Sequence, residues 1–215
     1  MRAKRVLQGM LPRLYPIIDP ALLPGPGDQA SRVAAFAREL VKGGATLIQY
    51  RNKTGSSRQM LSDARELRRA LGREVRLIMN DRADLCLAAG FGGVHVGQED
   101  LSPESARAVV GDGLWMGVST HSVEQVIEAD RTSADYIAIG PVFATVTKEN
   151  PDPVVLLEGV RAARAETRKP LVAIGGITRA NAASVIQAGA DSVAVISDLV
   201  HDPAKSVAAF LRVLG

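Results

Sequence analysis

The run Gln49-Tyr-Arg-Asn-Lys53 combines an amide, a guanidinium and an ammonium group within one short segment. It overlaps the end of an apolar stretch that we predict to be a strand, where alternate side chains share one face. Gln49 and Arg51 therefore point the same way, and Lys53 continues that alternation. An arginine can bind two phosphate oxygens at once, and a nearby lysine adds positive charge. The run predicts a site for a polyanion, with a salt bridge at the strand end as the alternative.

Two aspartates follow neighbouring predicted strands. Asp81 comes directly after one apolar run, and Asp100 lies shortly beyond the end of the next. A few hard oxygen ligands, with room for water and a phosphate, suit Mg2+ better than an all-protein Ca2+ site. Zinc is disfavoured because the three histidines are far apart and Cys86 is the single cysteine. Asp81 alone could instead cap the helix that follows it, but the pair predicts a magnesium site.

Glycines and a long connection mark the later part of the chain. Gly175-Gly176 and Ser197 follow the last two apolar runs, where backbone amides and a helix N-terminus commonly bind phosphate. This pattern predicts a phosphorylated ligand but not its identity. The connection 143–153 has no apolar periodicity, which is typical of a lid or binding loop. Its Lys148 could reach an anion when the loop closes, with a solvated loop as the alternative.

Three other reactive side chains are predicted to play structural parts. His95 lies between two valines inside a predicted strand, so we expect a buried, hydrogen-bonded histidine. His121 precedes a capping serine and is expected to orient a loop. Cys86 lies in an Ala/Leu-rich segment and is expected to be a small core residue. None of the three is assigned to catalysis.

The elements that must position these residues alternate along the whole chain. Short runs rich in Val, Ile and Leu, typical of strands buried on both faces, alternate with amphipathic segments such as 32–41 and 59–71. Helix starts are predicted at Ser56, Ser102, Ser122 and Asp202. The predicted strands are Leu14–Asp19, Leu47–Arg51, Arg76–Asn80, Gly93–Gly97, Leu114–Ser119, Tyr136–Pro141, Leu171–Gly176 and Ser192–Ser197.

Eight such β/α units predict an α/β fold, a single (β/α)8 TIM barrel. A doubly wound open sheet is the alternative, but the proline-broken loop after the first strand lacks its glycine-rich phosphate turn. In a barrel the carboxyl ends of all strands meet at one face, where such enzymes keep their active sites. The polar residues described above are therefore expected to converge there.

Composition is compatible with a soluble enzyme. The chain has 215 residues, 47% of them hydrophobic, and a net charge of +3, which favours one domain. No apolar run has the length of a membrane span or signal peptide, so we expect a cytoplasmic protein without a membrane partner. No basic cluster alternates with aromatic residues, so nucleic-acid binding is not expected. Association with further copies of the chain is left open.

Six segments together resemble the signature blocks of the thiamine phosphate synthase family, in the same order. The resemblance runs from about residue 14 to residue 213. It leaves residues 1–13 as a variable N-terminal extension and residues 14–215 as the catalytic barrel. The blocks are Gln49–Lys53, Asn80–Arg82, Gly93–Asp100, Gly117–His121, Gly140–Lys148 and Ala173–Ile177.

The resemblance implies a reaction and a set of site residues. Family members join hydroxymethylpyrimidine diphosphate to a thiazole phosphate, with Mg2+ assisting the departure of diphosphate and the thiazole nitrogen capturing the pyrimidine cation. Asp81 and Asp100 would bind Mg2+, and Lys148, Ser119 and Arg51 would act in catalysis. The diphosphate substrate would contact Gln49, Tyr50, Arg51, Asn52, Lys53, Asn80, Ser119 and Lys148. The thiazole phosphate would contact Thr145, Val146, Thr147, Gly176, Ile196 and Ser197.

Two positions depart from the family pattern, and two other functions are left as alternatives. Leu156 stands where the family generally has glycine, and Ile18 where threonine is common. A thiazole tautomerase of the same superfamily would resemble this chain but tends to lose the diphosphate and metal residues. A non-catalytic barrel that binds thiamine precursors would be expected to show a degraded metal pair. Arg51, Asp81 and Asp100 are all present here.

Overall fold

The structure is a computed structural model that describes residues 11–145 and 152–215. Within these residues eight parallel strands form a closed barrel, each strand pairing with the next and the last with the first. This confirms the predicted (β/α)8 fold. The strands are β1 (Leu14–Ile18), β2 (Leu47–Tyr50), β3 (Arg76–Asn80), β4 (Gly93–Val96), β5 (Trp115–Thr120), β6 (Tyr136–Ile139), β7 (Leu171–Ile174) and β8 (Ser192–Val195). The helices are α1 (Gln29–Lys42), α2 (Ser57–Leu71), α3 (Ala83–Ala88), α4 (Pro103–Val110), α5 (Val123–Asp130), α6 (Leu156–Glu166), α7 (Ala182–Gln187) and α8 (Pro203–Leu214).

Two apolar layers hold the barrel together, because each strand buries side chains on both faces. The outer layer packs strand residues such as Ile48 and Leu77 against helix residues such as Leu40 and Leu67. The inner layer fills the barrel. It comprises Tyr15, Ile17, Leu47, Ile78, Trp115, Tyr136, Ala138, Val172 and Ala194. The inner layer therefore closes the barrel below its mouth and forms the floor of any site there.

All four predicted helix starts are confirmed, but the capping hydrogen bond from the side chain forms at only three of these four residues. The hydroxyls of Ser56, Ser102 and Ser122 each accept a hydrogen bond from the backbone N–H three residues on. Asp202 makes no such bond. Its backbone is left-handed, with φ of 57°, and its carboxylate pairs with Lys205 Nζ at 2.7 Å instead.

Contacts with the barrel begin before the first strand. The Arg13 carbonyl accepts from Val193 N at 2.9 Å, and the Arg13 guanidinium donates to the Leu214 carbonyl at 2.8 Å. Leu11 packs against the inner layer. Residues 11–13, placed by sequence in the N-terminal extension, thus pack against the bottom of the barrel. None of the helices in the described residues is both long and apolar enough to cross a membrane.

Candidate active site

The carboxyl ends of the strands surround a cavity of about 680 Å³. Polar residues from β2, β3, β4 and β5 line one side, and residues that follow β7 and β8 line the other. The fold thus brings together residues that are far apart in sequence. The candidate residues that line the cavity are Gln49, Arg51, Lys53, Asn80, Asp81, Asp100, Ser119, Thr145, Gly176, Ile196 and Ser197.

Asp81 stands at the centre of the charged side. Its backbone adopts the left-handed conformation, with φ of 61°, which non-glycine residues rarely adopt and which is frequent at functional sites. Its N–H donates to the His95 carbonyl at 2.7 Å, so the strained turn is tied to β4. Its Oδ2 lies 2.5 Å from Lys53 Nζ. The cap of α3 is Arg82, without a side-chain hydrogen bond, so the alternative interpretation of Asp81 as a helix cap is wrong.

The carboxyl groups of Asp81 and Asp100 interact directly. Burial and the hydrogen bond with Asp100 raise the pKa of Asp81 to about 6, while Lys53 opposes that rise. Asp100 is held by the Gly97 N–H, which donates to its Oδ2 at 2.8 Å. Two acidic groups forced together in this way would be relieved by a cation between them.

The donor set of this pair fits a magnesium ion. In residues 11–145 and 152–215 no cluster of three or more His, Cys, Asp or Glu side chains could hold a metal. As aspartates, Asp81 and Asp100 offer carboxylate oxygens only, and two such side chains leave positions for water and for phosphate oxygens. Mg2+ commonly binds in this manner, with one or two carboxylates and substrate phosphates.

Arg51 lies at the predicted anion site and also forms the salt bridge at the strand end that was its alternative. Its guanidinium forms an ion pair with the Asp19 carboxylate at the end of β1, and it also lines the cavity. The Asp19 carboxylate in turn accepts from Ala21 N at 3.1 Å. The rim salt bridge therefore orients the guanidinium at the mouth of the barrel.

A continuous chain of hydrogen bonds runs across the floor of the cavity. Gln49 Nε2 donates to Tyr15 Oη at 3.0 Å, and Tyr15 Oη lies 3.0 Å from Tyr136 Oη. His95 contacts Tyr136 Oη through Nδ1 at 3.1 Å and Ser119 Oγ through Nε2 at 2.8 Å. The chain fixes the orientation of Gln49 and Ser119, the two members that belong to the predicted substrate contacts.

Burial sets the charge of this floor. It lowers the pKa of His95 to about 4 and raises the pKa values of Tyr15 and Tyr136, so all three groups are neutral near pH 7. The prediction of a buried, hydrogen-bonded His95 is confirmed. Gly117 makes the contact between His95 and Tyr136 possible, because a Cβ at position 117 would lie 2.1 Å from the Tyr136 ring and 2.4 Å from His95 Nδ1.

The opposite wall is formed by glycines packed under a loop. Gly175 and Gly176 both have positive φ, at 99° and 62°, and Phe143 N donates to the Gly175 carbonyl at 3.0 Å. A Cβ on Gly176 would lie 2.5 Å from the Ala144 carbonyl oxygen and 2.7 Å from Phe143 Cβ. The close packing of residues 143–144 therefore requires glycine at position 176. This requirement is independent of any bound phosphate, and sequence analysis did not reveal it.

Part of the predicted lid, residues 146–151, lies outside the described residues, and with it the site residues Val146, Thr147 and Lys148. Thr145 and Asp152, on either side of it, line the cavity. His121 donates from Nδ1 to the Gly140 carbonyl at 2.6 Å and lies 3.4 Å from Asp152 Oδ2. His121 therefore contacts both segments that lead into this connection, as expected for a residue that orients a loop.

Tyr50 and Asn52 do not line the cavity, although both were predicted to contact the substrate. Tyr50 is completely buried and donates to Asp63 Oδ2 at 2.6 Å on the outer side of β2. Asn52 donates to Tyr50 Oη at 3.1 Å. Strand alternation explains the difference, because Gln49 faces the cavity and its neighbour Tyr50 faces helix α2.

Sequence analysis missed Tyr15, Tyr136 and Asp63. The chain has only three tyrosines, and all of them lie in or at the end of strands. A hydroxyl group in an otherwise apolar strand is a signal, because buried hydroxyls need a partner. Asp63 gave no such signal, since an acidic residue in an amphipathic helix is normally exposed.

The fold and cavity together define a (β/α)8 barrel of the enzyme type, with a charged side and a glycine-rich side across one mouth. The sequence profile of the family described as thiamine monophosphate synthase matches residues 14–199. The chain belongs to this family and is a transferase of thiamine biosynthesis.

Individual relatives agree with this assignment. A thiamine-phosphate synthase of Koribacter versatilis is 61% identical, over 95% of this chain and 96% of the relative. One of Chloroflexus aurantiacus is 45% identical, over 94% of this chain and 92% of its own length. The solved structure of thiamine phosphate pyrophosphorylase from Pyrococcus furiosus superimposes with a TM-score of 0.82 at 34% identity. The superposition covers 94% of this chain and 95% of the solved one.

Proposed function

We propose that the chain condenses hydroxymethylpyrimidine diphosphate with thiazole phosphate, giving thiamine phosphate and diphosphate. The arrangement of the cavity carries this proposal. Basic and acidic residues at the ends of β2 to β4 face glycine and serine backbone at the ends of β7 and β8. Two phosphorylated substrates could therefore be held across one mouth with their reacting atoms between them, which is the main requirement for a two-substrate condensation.

The charged side would bind the diphosphate. Arg51 and Lys53 are its cations, and Asp81 with Asp100 would hold Mg2+. When bound, the metal would neutralise charge on the departing diphosphate. Arg51 is oriented by Asp19 and Lys53 by Asp81, so both cations are held in place before substrate arrives. Such preorganised charge stabilises a leaving anion at little reorganisation cost.

The floor would orient the pyrimidine ring. Gln49, Asn80 and Ser119 present amide and hydroxyl groups to the cavity. The neutral chain through Tyr15, Tyr136 and His95 holds two of these three groups. Both ring nitrogens of His95 and the hydroxyls of Tyr15 and Tyr136 are already hydrogen-bonded within the floor, so they would be held away from a short-lived pyrimidine cation.

The opposite side would bind the thiazole phosphate. Thr145, Gly176, Ile196 and Ser197 line this side of the cavity, and Val146 and Thr147 belong to the same proposed set. Lys148 would contact the departing diphosphate together with Arg51, and Ser119 would act beside them. The C–O bond to diphosphate breaks, and the thiazole nitrogen forms the new bond to the methylene carbon. No covalent bond to the protein is required.

The test is incubation of the purified protein with both substrates and Mg2+, followed by mass spectrometry for thiamine phosphate. Formation of product and diphosphate in equal amounts is expected. A thiazole tautomerase would convert only the thiazole, and a non-catalytic precursor-binding protein would bind without turnover. Either of these results would reject the proposal.

A further inference from the structure

A buried carboxylate lies behind strand β2, outside the cavity. Asp63 on α2 is 0% exposed and accepts three hydrogen bonds. The donors are Tyr50 Oη at 2.6 Å, Gln29 Nε2 at 2.6 Å and Gln59 Nε2 at 2.7 Å. Within residues 11–145 and 152–215 no lysine or arginine forms an ion pair with it. A buried acidic group is costly unless its hydrogen-bonding capacity is satisfied, so this arrangement calls for an explanation.

Tyr50 connects Asp63 to the chain segment that follows β2. Its hydroxyl donates to Asp63 and accepts from Asn52 Nδ2 at 3.1 Å. Burial and the bond to Asp63 raise the pKa of Tyr50, so the phenol keeps the proton that it donates. The hydrogen bonds therefore run in one direction, from Asn52 through Tyr50 to Asp63.

Asn52 in turn closes the turn that carries Lys53. Its Oδ1 accepts from Gly55 N at 2.8 Å and from Thr54 N at 3.2 Å. The turn is tight, because a Cβ on Gly55 would lie 2.4 Å from Asn52 Nδ2. Lys53 is the next residue along, and its Nζ lies 2.5 Å from Asp81 Oδ2 at the cavity.

We propose that Asp63 is a positioning residue for the diphosphate side of the site. Through Tyr50 and Asn52 it holds the 52–55 turn in place, so that Lys53 stays beside Asp81 where the diphosphate would bind. This inference rests on the proposed function for the identity of the anion. If Asp63 were purely structural, it would only join α2 to β2. Its loss would then weaken the fold without changing KM for one substrate more than for the other.

The informative variant is Tyr50→Phe, which removes one oxygen atom and keeps the ring. Thr167→Val is the matched control. It removes another buried hydroxyl, bonded to Asp130, at the opposite end of the barrel. We expect Tyr50→Phe to raise KM for the pyrimidine diphosphate roughly tenfold, with KM for the thiazole phosphate unchanged. Thr167→Val should change neither value.

Substitutions at Asp63 test whether the hydrogen bonds from Asn52 through Tyr50 end on this carboxylate. Asp63→Ala should reproduce the effect of Tyr50→Phe. Asp63→Asn should retain most of the affinity for the pyrimidine diphosphate, because its amide oxygen can still accept from Tyr50. If Asp63→Ala fails to fold, Tyr50→Phe and Asp63→Asn carry the test. Near-identical KM values for Tyr50→Phe and Thr167→Val would overturn the proposal.

A binding measurement separates this inference from the proposed function. Inorganic diphosphate with Mg2+ is titrated calorimetrically into wild type, Tyr50→Phe, Lys53→Ala and the double variant. Tyr50→Phe should weaken binding about tenfold in the wild-type background and hardly at all beside Lys53→Ala, since the two act through one group. Equal weakening in both backgrounds would overturn the proposal. A wild type that binds diphosphate but forms no thiamine phosphate would reject the proposed function alone.

Discussion

Lys53 Nζ and Asp81 Oδ2 lie 2.5 Å apart, joining the ends of β2 and β3 across the charged side of the cavity. The same carboxyl group is pushed towards protonation by burial and by Asp100. Asp81 is therefore shared between a cation of the protein and the place where a metal ion is proposed. The predictions about metal and anion binding depend on this competition.

Asp81 and Asp100 are expected to act as one unit in metal-dependent turnover. Asp81→Ala and Asp100→Ala should each lower kcat by about 10²-fold or more, because a bound metal supplies several kcal/mol of charge stabilisation. The double variant should lose little beyond either single one. Rates are measured over a range of Mg2+ concentrations. Asp84→Ala, an exposed residue paired with Arg82, is the control. Wild-type turnover of either single variant at limiting Mg2+ would remove the metal assignment.

Removing Lys53 is expected to change cation and anion binding in opposite directions. In Lys53→Met the carboxyl pair loses a competing positive charge, so Mn2+ used as a probe should bind a few-fold more tightly without substrate. Diphosphate should bind more weakly in the same variant, because a phosphate ligand is lost. Calorimetric titration of each probe measures both effects. A variant that loses affinity for both probes would show that Lys53 instead holds the metal residues in place.

Gly176 is expected to contribute to the stability of the fold as well as to the thiazole side. Gly176→Ala should lower the free energy of unfolding by about 2 kcal/mol, because its left-handed backbone and the nearby Ala144 carbonyl disfavour a Cβ. KM for thiazole phosphate should rise more than KM for the pyrimidine diphosphate. Gly113→Ala, with nothing within 4 Å of the added atom, serves as the control. Equal increases in both KM values would contradict two separate binding regions.

His95 should make the protein less stable in mild acid. Its pKa is about 4 when folded, against 6.5 ordinarily, so between these values the unfolded chain binds the extra proton. Stability is therefore lost as pH falls from 6.5, at up to about 1.4 kcal/mol per pH unit. Asp81, with a raised pKa of about 6, acts in the opposite direction in that range.

The effect of His95 is isolated by comparing wild type with His95→Gln. Urea unfolding at pH 7 and pH 5 should show a stability loss for wild type that exceeds that of the variant by about 2 kcal/mol. His201→Gln, at an exposed histidine, should behave as wild type. The assignment of a neutral buried imidazole is refuted by a difference that does not vary with pH.

Leu156 is expected to be a site where glycine stabilises the protein. It has a φ of 56° and is 49% exposed, so its side chain gains little burial while its backbone is strained. Leu156→Gly should raise the free energy of unfolding by up to about 1 kcal/mol. Val154→Gly, at a residue that is 44% exposed and has no positive φ, should lower it. Thermal unfolding of the two variants measures both effects. A destabilised Leu156→Gly would mean that the leucine side chain makes a contact that the fold needs.

The alternation of strands and helices was predictable from sequence because it depends on local patterns. Each predicted strand overlaps an observed one and differs at its ends by two residues at most. A parallel barrel brings all carboxyl ends to one face regardless of side-chain detail. For this reason Arg51, Asp81, Ser119 and Gly176 could be assigned to one cavity before any contact was known.

The partners of these residues were decided only by tertiary structure. Tyr15 and Tyr136 meet across 121 positions of sequence, and no local pattern predicts which inward-facing residues of different strands will touch. Asp63 has the spacing of an ordinary helix residue, and its burial follows from how α2 packs on β2. Sequence by itself determined the order of elements, the face of the site and the types of charge present. The hydrogen bonds that orient those charges depend on distances between elements, which only the packed barrel defines.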